Sequence, residues 1–254
     1  MQFRLLGPVR ILLGGLEDAV SGSKQRTMLA SLLLAEGRTV SDDHLGRMLW
    51  GEHPPATAPA QIHTYASRIR QRVSPSVRLE RIRTGYRMHH DEFDLDYRVF
   101  HRLVEQARVA TATLDHADAA LLLRRALGLW QGEALADTTE HMIAVEQPYL
   151  EEQRLEALEL RIEAELTLGR QSELIPELRS LVSHHPLREG LRALLMTALY
   201  RAERQADAFA LFQDCRRILD EELGVPPGWL LTCTYQGLLT GEARSRLPQQ
   251  LAAR

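Results

Sequence analysis

A chain of 254 residues, 44% apolar and 26% charged, is long enough for one or two domains with proper cores and is not the composition of a disordered protein. Its longest apolar runs, such as 32–35, are far too short to cross a bilayer, and Arg4 and Arg10 interrupt the first apolar segment, so no leader peptide is expected. The net charge of −3 hides an asymmetry: residues 1–90 hold thirteen Lys+Arg against seven Asp+Glu, and residues 91–254 hold eighteen against twenty-seven. The first surplus lies in 61–90, where seven arginines face Glu80 alone, which favours a polyanion as partner of one small domain. Cys215 and Cys233 lack metal spacing and fit a reduced cytosolic setting.

In chain order, Phe3 and Leu5 alternate with Arg4, and Val9, Ile11 and Leu13 alternate about Arg10, with Gly7-Pro8 between; two short strands are expected. Ser23 is placed to cap a helix over 24–36 that turns Met28, Leu29, Leu32 and Leu33 inward and stops at Gly37. Ser41 caps a second helix, with Asp42 and Asp43 in its first turn, favourable at the positive terminus, and Leu45, Met48 and Leu49 as its core face. A Pro-rich loop over 51–60 leads, with Thr57 as cap, into a third helix over 59–73. Beyond it Val77, Leu79 and Ile82 alternate with arginines, and Thr84-Gly85 supplies a turn before Tyr86.

The third helix has two unlike faces. At 100° per residue, Ile62, Ala66, Ile69 and Val73 form one stripe, and Thr64, Ser67, Arg68 and Gln71 point the other way. Arg70 and His63 border that polar face on one flank, Arg72 and Gln61 on the other. Hydrogen-bonding side chains between cations suit a helix in a major groove, with base edges ahead and phosphates at both sides. An ordinary amphipathic helix with a solvated basic face has the same pattern when taken alone. The order of strands, three helices and a basic hairpin is that of a winged helix-turn-helix, whose wing uses arginines to reach a minor groove or phosphates.

From about residue 93 the texture becomes helix after helix: 97–112, 115–129, 145–168, 172–183, 187–202, 205–223 and 228–240 all carry apolar residues at three- and four-residue intervals. Gly169-Arg170-Gln171 and Glu203-Arg204-Gln205 stand 34 residues apart, the period of tetratricopeptide-like hairpins. Trp130 and Trp229, at helix ends, are expected to close helical packing. The histidine pairs at 89–90 and 184–185 lack metal spacing, the acidic clusters sit on charged helix faces, and no glycine pattern makes a nucleotide cradle. No catalytic constellation and no cofactor are expected.

The segments FRLLGPV, KQRTMLASLLL, VSDDHLGRMLWGEHPPATA, HTYASRIRQRV and RTGYRM, in that order, resemble the winged-helix domain of the Streptomyces antibiotic regulatory protein family, related to the DNA-binding domain of response regulators. LEEQRLEALELRIEAELTLGR, HPLREGLRALLMTALYRAERQADAFALFQDCRRIL and DEELGVPPG resemble the bacterial transcriptional activator domain that follows in that family. The resemblance implies a mainly α fold: a winged-helix DNA-binding domain over 1–92, then an all-α, tetratricopeptide-like domain over 93–254. It implies Thr64, Ser67 and Arg68 on base edges, joined by Gln71 from the helix geometry, and Gln61, Tyr65, Arg70 and Tyr86 on phosphates, with His63 and Arg72 beside them. In the wing, Arg81, Arg83, Thr84 and Tyr86 are the candidates; where relatives carry an arginine four residues before the tyrosine, this chain has Ile82 between Arg81 and Arg83. Tyr65 replaces a histidine common in the relatives. Glu52 and His53, in the loop before the third helix, are the candidates for contact with a sigma factor. The implied function is activation of a biosynthetic gene cluster, by binding direct repeats in duplex promoter DNA, self-associating there and recruiting RNA polymerase holoenzyme, in the cytoplasm at the nucleoid. The alternative from another class is a helical scaffold whose amino-terminal domain grips a protein.

Overall fold

The alternation at the amino terminus produces three strands, one more than expected. β1 (Gln2–Arg4) pairs antiparallel with β2 (Arg10–Leu13), placing Phe3 opposite Ile11, and β2 pairs with β3 (Leu16–Asp18). The turn between β2 and β3 is Gly14-Gly15, both at positive φ, the geometry that a two-residue hairpin turn requires. A computed structural model describes residues 1–18, 20–73, 77–89 and 94–241 of the chain; His90 lies outside them.

α1 (Ser23–Leu34) begins one residue earlier than expected, with Gly22 and not Ser23 at the cap, and closes through Glu36 and Gly37 at positive φ. β4 (Val40–Ser41) leads into α2 (Asp42–Trp50), where the Ser41 hydroxyl accepts from the His44 N–H at 3.1 Å, as the sequence suggests. α3 (Ala58–Arg72) has Thr57 at the cap position, but the threonine hydroxyl accepts from Gln61 Nε2 at 2.9 Å instead of closing the helix end. β5 (Leu79–Ile82) and β6 (Gly85–Met88) form the hairpin, whose turn is Arg83-Thr84, one residue before the expected Thr84-Gly85. β6 also pairs with β4, and β7 (Asp94–Leu95) adds to β1 in parallel, giving sheets of order β3-β2-β1-β7 and β4-β6-β5.

All seven helices expected of the second half are present: α4 (Asp96–Ala112), α5 (His116–Leu127), α6 (Glu140–Thr167), α7 (Gln171–His184), α8 (Glu189–Arg201), α9 (Gln205–Leu223) and α10 (Trp229–Leu239). The architecture is therefore mainly α with small amino-terminal sheets. The two echoed triplets form the same turn: Arg170 N–H donates to the Glu165 carbonyl at 3.1 Å and Arg204 N–H to the Leu199 carbonyl at 2.9 Å, each past a residue at positive φ. Leu114 closes α4 in the same way, Asp115 N–H reaching the Ala110 carbonyl at 2.9 Å without any of the triplet's residues.

Contacts gather the chain into two compact units, Met1–Leu103 with Arg125–Arg154, and Val104–Arg124 with Leu155–Arg254, where the sequence reading places a single cut after 92. Polar groups join 125–154 to the first unit. Asp137 accepts from the Val9 N–H at 2.8 Å and from Arg10 Nη1 at 2.5 Å, with Arg26 Nε 3.2 Å away. The Thr139 N–H donates to Thr27 Oγ1 and the Thr139 hydroxyl to the Met48 carbonyl at 2.6 Å. Asp96 accepts from the N–H groups of Leu5, Leu6 and Tyr97; burial, working against those donors, pushes its carboxyl up to about 6. Trp130 is buried edge-on to Phe100.

In the second unit α8 is covered on all sides, so that even Arg192 and Thr197 are buried among the leucines. Glu165, 2% exposed, takes Arg124 at 2.6 Å and Arg161 at 3.2 Å, which leaves its buried charge paired. Trp229 departs from expectation: it is 62% exposed at the start of α10 and closes no packing.

Candidate nucleic-acid interface

The third helix is oriented by its aliphatic stripe. Ile62, Ala66, Ile69 and Val73 are all buried, and each isoleucine removed from water contributes about 1.5–3 kcal/mol, so a half-turn of the helix is strongly disfavoured. Thr64, Arg68 and Gln71 are consequently exposed, with Ser67 partly covered between them. His63 and Arg70 are exposed on one flank, and Gln61 and Arg72 partly buried on the other.

Several of these side chains are held in place. Tyr65 donates to Gln61 Oε1 at 3.2 Å and Gln61 in turn to Thr57 Oγ1, a ladder at intervals of one helical turn. The Thr64 hydroxyl bonds the Ala60 carbonyl at 2.9 Å, leaving its oxygen available as an acceptor. Arg72 Nη2 reaches the Ser21 hydroxyl at 3.3 Å. Arg70 Nε donates to the Leu79 carbonyl at 2.9 Å, which connects α3 to the hairpin, and the residue as a whole is exposed.

The hairpin separates the four wing candidates. Arg83 and Thr84 form its exposed tip. Arg81 is forked onto Asp42, with Nη1 to Oδ1 at 2.5 Å and Nη2 to Oδ2 at 2.7 Å, and this bonding pushes the guanidinium above its already high range. Tyr86, expected at a phosphate, is a core side chain at 1% exposure, its ring covered by Arg81 at 4.7 Å and Arg70 at 5.9 Å, so that it supports these two arginines. Gly85 lies so close to β4 that a β-carbon there would sit 1.9 Å from the Val40 carbonyl oxygen.

Ahead of α3, Glu52 and His53 are exposed in the loop after Gly51. Glu52 lines a groove of about 450 Å³ together with Asp42, Arg47, Pro54, Pro55 and Ile62 among others. Among the described residues no group of three His, Cys, Asp or Glu is placed to hold a metal ion, and no helix is long and apolar enough to cross a membrane. Sequence reasoning missed Asp42 as the wing's partner, because its place in the first turn of α2 already accounted for its charge.

Comparison with known proteins identifies the framework around this surface. Residues 95–239 match the family described as bacterial transcriptional activator domain. The regulatory protein AfsR of Streptomyces griseus is 43% identical over 249 residues, 98% of this chain but 25% of that protein, and DnrI of Streptomyces peucetius is 35% identical over 95% of this chain and 93% of its own. The chain belongs to the Streptomyces antibiotic regulatory protein family. A solved structure titled Mycobacterium tuberculosis EmbR in complex with low affinity phosphopeptide superposes at a TM-score of 0.88 with 31% identity, covering 99% of this chain and 66% of that one. This family member thus spans about a quarter of AfsR and about two thirds of the EmbR chain, and its relatives are transcriptional regulators.

Proposed function

We propose that the chain is a sequence-specific transcriptional activator that makes and breaks no bond: residues 1–92 bind duplex promoter DNA and 93–254 serve self-association and polymerase contact. The observation that carries this reading is the exposed face of α3, where Thr64, Ser67, Arg68 and Gln71 lie between His63 and Arg70 on one side and Gln61 and Arg72 on the other. Amide, hydroxyl and guanidinium groups in the middle offer direct readout, and the flanking cations neutralise phosphates. Tyr65, held by Gln61, and the wing tip of Arg83 and Thr84 extend the phosphate contacts. Glu52, which lines a groove, and the exposed His53 that follows it are the surface for a sigma factor of the polymerase holoenzyme. Direct repeats fit this reading because head-to-tail protomers place the same helix face in successive major grooves.

Electrophoretic shift of the full chain on promoter fragments of an antibiotic biosynthetic cluster, with excess competitor DNA, tests the proposal. A shifted band that survives competition and is lost when one repeat is scrambled supports it. Equal retention of all sequences, or of none, would return the scaffold reading.

A further inference from the structure

We propose that Asp42 and Arg81 are positioning residues that hold the wing against the rest of the DNA-binding surface, and that the wing arginine presented to DNA is Arg83. The inference rests on the DNA-binding reading above and resolves which of the two arginines beside Ile82 is available to a duplex.

Asp42 grips the hairpin twice. Its carboxylate takes both Nη atoms of Arg81, and its own N–H donates to the Thr84 carbonyl at 3.0 Å. Next to it Ser41 pairs with Gly85, an approach that any β-carbon on residue 85 would prevent. Arg81 stands opposite Tyr86 in the hairpin register and covers its ring, and Arg70 of α3 covers the same ring while bonding to the Leu79 carbonyl. The start of α2, both wing strands and the carboxy-terminal half of α3 therefore meet around one buried tyrosine.

Two physical consequences follow. An arginine already forked onto a carboxylate is neutralised, and moving it to a phosphate forfeits the pair it leaves, so Arg81 adds little net attraction to DNA. Arg83, exposed at the turn, carries no such penalty. Asp42 itself is a negative charge near a surface meant for a polyanion. If it merely repelled phosphates, removing it would tighten binding; if it orders the wing, removing it loosens binding. The sign of one measurement separates the two.

The test uses the full chain, with fluorescence anisotropy on a labelled promoter fragment over a range of salt, and amide hydrogen exchange across 79–88 in the free protein. Asp42→Asn is expected to bind about tenfold more weakly, with a salt dependence no steeper than wild type and faster exchange in 79–88. Arg81→Lys should lose a similar factor, since an ammonium cannot fork onto a carboxylate. Arg83→Lys should bind like wild type, whereas Arg83→Ala should weaken binding and lower the salt slope by about 1. Asp42→Asn binding as tightly as wild type or more tightly, or Arg81→Lys indistinguishable from wild type, overturns the proposal. Should wild type show no preference over competitor DNA, the DNA-binding reading fails instead, and the exchange measurement still decides whether Asp42 orders the wing.

Discussion

Replacing Asp137 by alanine tests whether residues 125–154 are part of the fold that carries α3. Val9 is fully buried, and its N–H donates to Asp137 Oδ1 at 2.8 Å; without the carboxylate this donor is orphaned, at a cost of about 1–3 kcal/mol. The carboxylate is 23% exposed and also faces Arg10 and Arg26, themselves partly solvated, so each lost ion pair adds at most about 1 kcal/mol. Arg10 keeps Glu17 at 2.5 Å and Arg26 keeps the Val20 carbonyl at 2.8 Å, which limits the damage. The total, about 2–4 kcal/mol, corresponds to a drop of roughly 5–15 °C in the melting temperature of the first unit. Circular dichroism melts of Asp137→Ala, with hydrogen exchange to locate the loosened strands, provide the measurement. Asp137→Asn, which can still accept from Val9, should lose less than half as much. A melting temperature within about 2 °C of wild type for Asp137→Ala, with unchanged protection at β1 and β2, would refute the reasoning and leave 125–154 as a passive neighbour.

Other substitutions address separate links. Arg68→Ala is expected to cost about 1–3 kcal/mol on the preferred site and to relax discrimination at one base position, whereas Arg72→Ala should weaken all sequences similarly and flatten the salt dependence; anisotropy on matched and mutated operators distinguishes them. Gly85→Ala should detach β4 from β6 and destabilise the wing, because the new methyl would collide with the Val40 carbonyl; a folded variant with wild-type DNA affinity contradicts this. Glu163, pushed up to about 7 by burial and by neighbouring Glu159, binds its proton more tightly in the folded chain than in the unfolded one, so stability falls as pH rises from the ordinary 4.5 through about 7. Glu163→Gln should therefore stabilise the chain at pH 8 by about 1–3 kcal/mol, a gain that vanishes near pH 4; denaturant melts at the two pH values read it directly.

Helix content was legible because a periodicity of 3.6 survives without knowledge of neighbours: the seven helices of the second half and the buried stripe of α3 follow from apolar spacing alone. Helix ends were less legible. Ser23 and Thr57 are both good capping residues, yet Gly22 takes one cap position, and the Thr57 side chain bonds to Gln61 in place of the backbone. Short strands with few apolar residues were harder still: β3 is held by pairing across Gly14-Gly15 and leaves Leu16 78% exposed, so no burial pattern announces it.

By itself, the order of residues determined which faces of each element are apolar, that one basic hairpin follows one two-faced helix, and which family the chain resembles. Tertiary structure alone decided that Tyr86 lies beneath two arginines, that Asp42 holds Arg81, and that Asp137 reaches back to Val9. The reason is range. Periodicity is written into neighbours a few positions apart, whereas a carboxylate 39 residues from its arginine, or 128 from the amide it accepts, leaves no trace in local spacing and is specified only when the folded backbone brings the two together.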